Sequence, residues 1–356
     1  RDPIHGPGTD IAIAVLGGHD IDTLRDHPER GFLLILVHFD ILSVGGSMLS
    51  NIGATDDGKD RAMRKRRPPN IRRSWLFLGG TDVDALIAAA DSGADVLIHE
   101  LEDFTAPDQR PAARAIAPTV LAAWKERGII AGVRVNPFVD CGREDLTAVM
   151  PGAPDVVMLP KVGEPAHVAE LDQAISSAER AAGIDTGSTE LVPNIELARG
   201  LIRTFDICKA SPRVSSALVA SEDMATDLGA ERGQDGEELK YVRARFHVEC
   251  VAAGVVSIDA PYTWTDDAGV EQEARHARRL GYKAKSAVDP GHAAVINRVF
   301  TPSEDEVEEA RRIVEAFEAA QARGDGRAEL NGSLIETPIY RNARQLLDRY
   351  ASLAVY

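Results

Sequence analysis

Two carboxylates stand where a metal-assisted reaction would need them. Glu196, in Pro193-Asn194-Ile195-Glu196, and Asp223, in Ala220-Ser221-Glu222-Asp223, each follow a short apolar run with no histidine or cysteine beside them. An all-oxygen pair of this kind suits a hard cation such as Mg²⁺, which takes one or two protein carboxylates and completes its shell with water and substrate oxygens. The competing reading is structural: each carboxylate caps the following helix or pairs with a nearby arginine such as Arg199. Arg134 ends the run Val133-Arg134-Val135 before Asn136-Pro137. A guanidinium at the end of a buried strand must find an anion, and its planar fork matches a carboxylate or an enolate oxygen. Glu102 and Asp103 could orient Arg134, hold water on a metal, or cap a helix. Lys161, in Leu159-Pro160-Lys161-Val162, raises the separate possibility of a Schiff-base amine. His99, alone on its strand, is expected in the core.

The spacing of these groups dictates the elements behind them. From Glu102 to Arg134, Arg134 to Glu196 and Glu196 to Asp223 the steps are 32, 62 and 27 residues. A (β/α)₈ barrel spends roughly 31 residues per unit, so the steps read as one, two and one units, with all the charged groups on one rim. The runs Ser74–Leu78, Val96–Ile98, Ile129–Val135, Val156–Leu159, Leu191–Ile195, Ala217–Ala220, Val255–Ile258 and Ala284–Val288 supply eight strands. Amphipathic stretches such as Ala166–Ala182, Glu237–Ala253 and Val270–Leu280 alternate with them. Strict alternation implies a parallel sheet, and eight units favour closure. No G-x-G-x-x-G follows an early strand, which removes the main signature of a dinucleotide fold.

Past the eighth strand, Ser303 with Glu306 three residues on predicts a capping box opening a helix to Ala322, and a last helix is expected near Asn342–Ala354. The barrel is therefore assigned to residues 71–300 and a helical extension to 301–356. Residues 1–70 lack a sustained period and end in the basic run Arg64-Lys65-Arg66-Arg67-Pro68-Pro69. They read as a poorly structured extension, beside the alternative that translation starts at Met63. The 356-residue chain is 44% hydrophobic and 27% charged with a net charge of −16, which argues against a nucleic-acid partner. The longest apolar run, Gly31–Leu42, is broken by His38 and Asp40, so no membrane span or export signal is expected. Three cysteines without metal-like spacing, Cys141, Cys208 and Cys250, suit a reducing, cytoplasmic setting.

Taken in order, the segments Arg73-Ser74 with Leu76-Phe77 and Gly80, Glu100-Leu101-Glu102-Asp103, Arg134-Val135-Asn136-Pro137, Leu159-Pro160-Lys161-Val162, Ile195-Glu196-Leu197-Ala198-Arg199-Gly200, Ser221-Glu222-Asp223 and Phe300-Thr301-Pro302-Ser303 closely resemble the citrate lyase β-subunit-like CoA-ester lyases of the HpcH/HpaI aldolase group. The resemblance implies a Mg²⁺-dependent carbon–carbon lyase, usually a homotrimer, acting on a CoA or acyl-carrier thioester and a 2-oxo acid. It puts Glu196 and Asp223 on the metal and Arg134 on the substrate. It also implies that an acid from the tail, here Glu336, reaches a neighbouring subunit's site. Arg73 is a candidate CoA contact, Asp103 a substrate contact and Glu102 a catalytic partner. A malyl-CoA or citramalyl-CoA lyase is the leading expectation, with a citrate lyase β subunit or a non-catalytic thioester-binding homologue as alternatives. The chain departs from the family at Glu100 and Glu336, where Asp is usual, at Gly79, where Pro is usual, and at Asp289, where His is usual.

Overall fold

The computed structural model describes residues 66–356. Most of the expectation for residues 1–70, including the apolar run Gly31–Leu42 and a start at Met63, lies outside the described residues. Eight strands close into one parallel barrel in chain order. They are β1 (Ser74–Gly79), β2 (Val96–Glu100), β3 (Ile130–Arg134), β4 (Val156–Leu159), β5 (Glu190–Ile195), β6 (Ser216–Val219), β7 (Val256–Asp259) and β8 (Ala284–Ala287). Pairing of Trp75 with Ser286 on β8 closes the ring.

Both faces of these strands are buried, which is why they read as unbroken apolar runs rather than alternating ones. Trp75, Phe77, Ile98, Ile130, Val156, Met158, Val192, Leu218 and Ile258 point inward and fill the barrel. Their neighbours Leu76, Leu97, Ala131, Val133, Val157 and Leu191 point outward beneath the helices. Each such aliphatic or aromatic side chain contributes about 1.5–3 kcal/mol on burial. Helices Arg110–Glu126, Pro165–Ala182, Lys240–Ala253 and Asp267–Leu280 form much of the outer layer.

The capping box at Ser303 and Glu306 forms as expected, opening the helix Glu304–Ala322. The tail then departs from the sequence expectation. An antiparallel hairpin pairs β9 (Ala328–Leu330) with β10 (Ser333–Ile335). Its turn is Asn331-Gly332, both at positive φ (52° and 75°), the residue pair that a tight hairpin turn favours. The last helix spans Thr337–Leu353, starting five residues earlier than expected, because Pro338 in its first turn initiates the helix. No helix among the described residues is long and apolar enough to cross a membrane.

Candidate active site

The C-terminal ends of β2, β3, β4 and β5 and the helix after β6 deliver the charged groups to one mouth. Register decides which groups meet. Glu100 and Arg134 are directly paired on β2 and β3, both facing inward. Glu100 accepts from Arg134 Nε at 2.9 Å and from the backbone N–H groups of Glu102 (2.7 Å) and Phe104 (2.6 Å). One carboxylate thus aims the arginine and folds the loop that carries Glu102 and Asp103.

Arg134 is 7% exposed and lies over Phe77 and Phe104, with its guanidinium carbon 5.4 and 5.8 Å from their ring centroids. Its Nη2 is 3.4 Å from Glu102 and 3.8 Å from Asp103, and its Nη1 is 3.5 Å from Glu196. The loop rests so tightly on Gly79 that a Cβ there would lie 2.2 Å from the Phe104 carbonyl oxygen. The departure from Pro at this position is thereby accounted for, since a side chain has no room.

Lys161, two residues past β4, has φ of 53°, a strained position for a residue with a side chain. Its N–H donates to Glu196 Oε2 at 2.9 Å while its Nζ lies 2.5 Å from Glu102 Oε1 and 3.8 Å from Asp103. Burial pulls the Lys161 amine down, but Glu102, Asp103 and Asp223 more than reverse this and leave it raised. A Schiff-base nucleophile must be neutral, so Lys161 serves here as a fixed cation instead.

Glu196 is fully buried one residue beyond β5. Burial pushes its carboxyl up, Arg134 opposes, and Glu102 and Asp223 push further, leaving it at about 8. Asp223 lies in the first turn of the helix Glu222–Leu228 rather than on the strand end. Its carboxyl is also raised, by burial first, against the pull of Lys161. Glu102 is raised too, by burial, against Arg134 and Lys161.

Five carboxylates (Glu100, Glu102, Asp103, Glu196 and Asp223) therefore share two cations at this mouth. Glu102 Oε2, Ser221 Oγ and both polar atoms of Asn194 are buried with no hydrogen-bond partner. Asn194 lies on β5 two residues before Glu196, on the same inward face. Among the described residues no three His, Cys, Asp or Glu side chains form a metal-binding group. The pair Glu196 and Asp223, with excess negative charge and oxygen donors only, still fits an ion that draws its remaining ligands from water and substrate.

Two expected site residues are not brought to the mouth. Arg73 precedes β1 and lies at the opposite end of the barrel, its Nε 2.9 Å from Asp95 and its Nη1 2.7 Å from Thr301. There the Asp95 carboxylate and the Thr301 hydroxyl take up its donors. Glu336 is the exposed N-cap residue of the last helix, outside the cluster within a single chain. Glu100, Asn194 and Ser221 join the site beyond the residues first singled out for it, and Lys161 joins it as a fixed cation rather than as the Schiff-base amine weighed from the sequence. His99 is buried with its ring 3.2 Å from the Gly80 carbonyl oxygen, a core position as expected.

Charged groups collected at the C-terminal mouth of a (β/α)₈ barrel stand where enzymes of this fold carry their active sites. The chain belongs to the HpcH/HpaI aldolase/citrate lyase family, which it matches over residues 73–290. It is 34% identical to the citrate lyase subunit beta of Escherichia coli strain K12, over 81% of this chain and 96% of that protein. It is 31% identical to an L-malyl-CoA/beta-methylmalyl-CoA lyase of Cereibacter sphaeroides, over 80% of this chain and 97% of that one. Protein CitE of Mycobacterium tuberculosis, crystallised with magnesium, acetoacetate and coenzyme A, superposes with a TM-score of 0.64 at 27% identity, covering 81% of this chain and 100% of that chain. Its named relatives are lyases, and enzymatic lyase chemistry is the class to which the fold and site belong.

Proposed function

We propose that the protein is a Mg²⁺-dependent lyase that cleaves, or in reverse condenses, a 3-hydroxy-dicarboxylyl-CoA thioester of the malyl-CoA or citramalyl-CoA type, giving acetyl-CoA and a 2-oxo acid. The observation that carries this reading is the convergence of Arg134, Lys161, Glu102, Glu196 and Asp223 on one barrel mouth. Glu196 and Asp223 would hold the ion. When bound, Mg²⁺ supplies Lewis acidity that eases loss of the substrate hydroxyl proton. Glu102, held between Arg134 and Lys161 with a raised carboxyl, is placed to receive that proton. The C–C bond then breaks, its electron pair passing to the thioester enolate while the hydroxyl carbon becomes the 2-oxo group. Arg134, aimed by Glu100, stabilises the developing oxyanion. Asp103, half-exposed at the rim, contacts the substrate.

Glu336 of a second copy in a homotrimer would protonate the enolate carbon. The 34% identity to a citrate lyase subunit favours a second reading, in which the thioester is borne by an acyl carrier and other subunits co-purify. The free thiols of Cys141, Cys208 and Cys250 support a reducing cytoplasmic setting.

Incubation of the full chain with malyl-CoA, citramalyl-CoA and related esters with and without Mg²⁺, read by mass spectrometry, tests this directly. Acetyl-CoA and glyoxylate or pyruvate should form only with the metal, and Glu196→Ala should abolish their formation. Full activity in that variant would rule out the site.

A further inference from the structure

The far end of the barrel carries a second, oppositely charged cavity. About 410 Å³ lies between the N-terminal end of β8 and the last helix, Thr337–Leu353, lined by Arg278, Tyr282, Lys283, Phe300, Asp348 and Arg349 among others. Three cations thus face one carboxylate, in a chain whose net charge is −16. Arg349 and Lys283 have no carboxylate partner among the described residues, whereas Arg278 is paired with Glu306. Arg349 donates only to backbone carbonyls, those of Asn70 (2.5 Å), Lys283 (3.1 Å) and Phe300 (3.4 Å). Lys283 is partly exposed at the cavity edge, and its side chain has no hydrogen-bond or ion-pair partner among the described residues. Arg278 reaches Glu306 at 2.9 Å, outside the cavity wall. The nearby Asp95 is already taken by Arg67 and Arg73.

We propose that this cavity binds a small phosphate-bearing polyanion, held by Lys283, Arg278 and Arg349, and that its binding fastens the last helix to the floor of the barrel. The volume falls in the range of small-ligand pockets. Guanidinium forks beside a lysine are the recurrent means of holding phosphate oxygens. The buried faces of Tyr282 and Phe300 make one wall apolar, as such pockets require. The mutual strain of the cations agrees. Burial, Arg73 and Arg278 pull Arg349 down to about 10, and burial, Arg349 and Arg278 pull Lys283 down. An anion would relieve both. The site is separate from the mouth and does not depend on the lyase reading.

Inorganic pyrophosphate is the probe, titrated calorimetrically into the full chain in Mg²⁺-free buffer at constant ionic strength, with citrate as the carboxylate arm. Pyrophosphate should bind more tightly than citrate and slow amide exchange across residues 342–352. Lys283→Gln, which breaks no internal bond, should weaken binding at least roughly fivefold, and Arg278→Gln likewise. Arg279→Gln, exposed on the same helix and outside the cavity, should leave it unchanged. Equal affinity in wild type and Lys283→Gln, exchange protection confined to the mouth, or tighter binding of citrate would each overturn the proposal.

Discussion

Arg134 shows how one residue's chemistry depends on its neighbours. Three of its nitrogens face Glu100, Glu102 and Glu196, so its charge is shared before any substrate arrives. Glu100 also accepts two backbone N–H groups. Glu100→Gln offers one acceptor oxygen where two are used, so a buried N–H should go unpaired. A loss of about 1–3 kcal/mol in urea-denaturation stability is expected. Far from the mouth, Glu179 gives the clearest pH dependence. It is fully buried, and while burial pushes its carboxyl up, Arg213 and the N–H groups of Gly187 and Thr189 bring it down to about 2 from 4.5. A depressed carboxyl stabilises the fold above its ordinary value and loses that contribution as pH falls through about 2, at most about 3 kcal/mol in all. Glu179→Gln should flatten the fall in urea midpoint between pH 4.5 and 2 that the wild type shows; an unaltered profile would remove Glu179 from this role.

At the scale of elements, the site depends on loops pressed against strand ends. The short helix Ala198–Leu201 follows Glu196 directly, and a Cβ on Gly200 would lie 2.3 Å from the Val162 carbonyl oxygen. That carbonyl belongs to the loop whose Lys161 N–H holds Glu196. Because the obstacle is backbone, Gly200→Ala must displace the loop, at about 1–3 kcal/mol of stability. If Glu196 holds Mg²⁺ as proposed, the variant should also weaken that binding measured by calorimetry, as the carboxylate loses its donor. Intact stability with unaltered metal binding would mean that the loop can shift without disturbing the carboxylate.

For the whole molecule, the placement of Glu336 decides what a single chain can do. It stands exposed after the hairpin of β9 and β10, at the start of the last helix, and outside its own chain's cluster. If a second copy lends it to the mouth, sedimentation should report a trimer. Glu336→Gln should then lower turnover by about 10²-fold, the ordinary contribution of a general acid, while Mg²⁺ affinity and thermal stability stay unchanged. Full turnover in a monomeric preparation would contradict that arrangement.

Period and spacing in the chain alone determined the eight strands, the closed barrel and the rim on which Glu102, Arg134, Glu196 and Asp223 gather. A parallel strand buried on both faces must be apolar along its length, so its charged end is visible in the sequence. The capping box at Ser303 was legible for a similarly local reason. Tertiary structure alone decided the rest: that Glu100 aims Arg134, that Lys161 clamps Glu102 and Glu196, and that Asn194 lies unpaired below them. It also decided that Arg73 lies at the opposite end of the barrel, and that Arg349, Lys283 and Arg278 line a cavity there. These depend on register and on which loop lies against which strand end, distances set by closure of the ring between residues far apart in sequence.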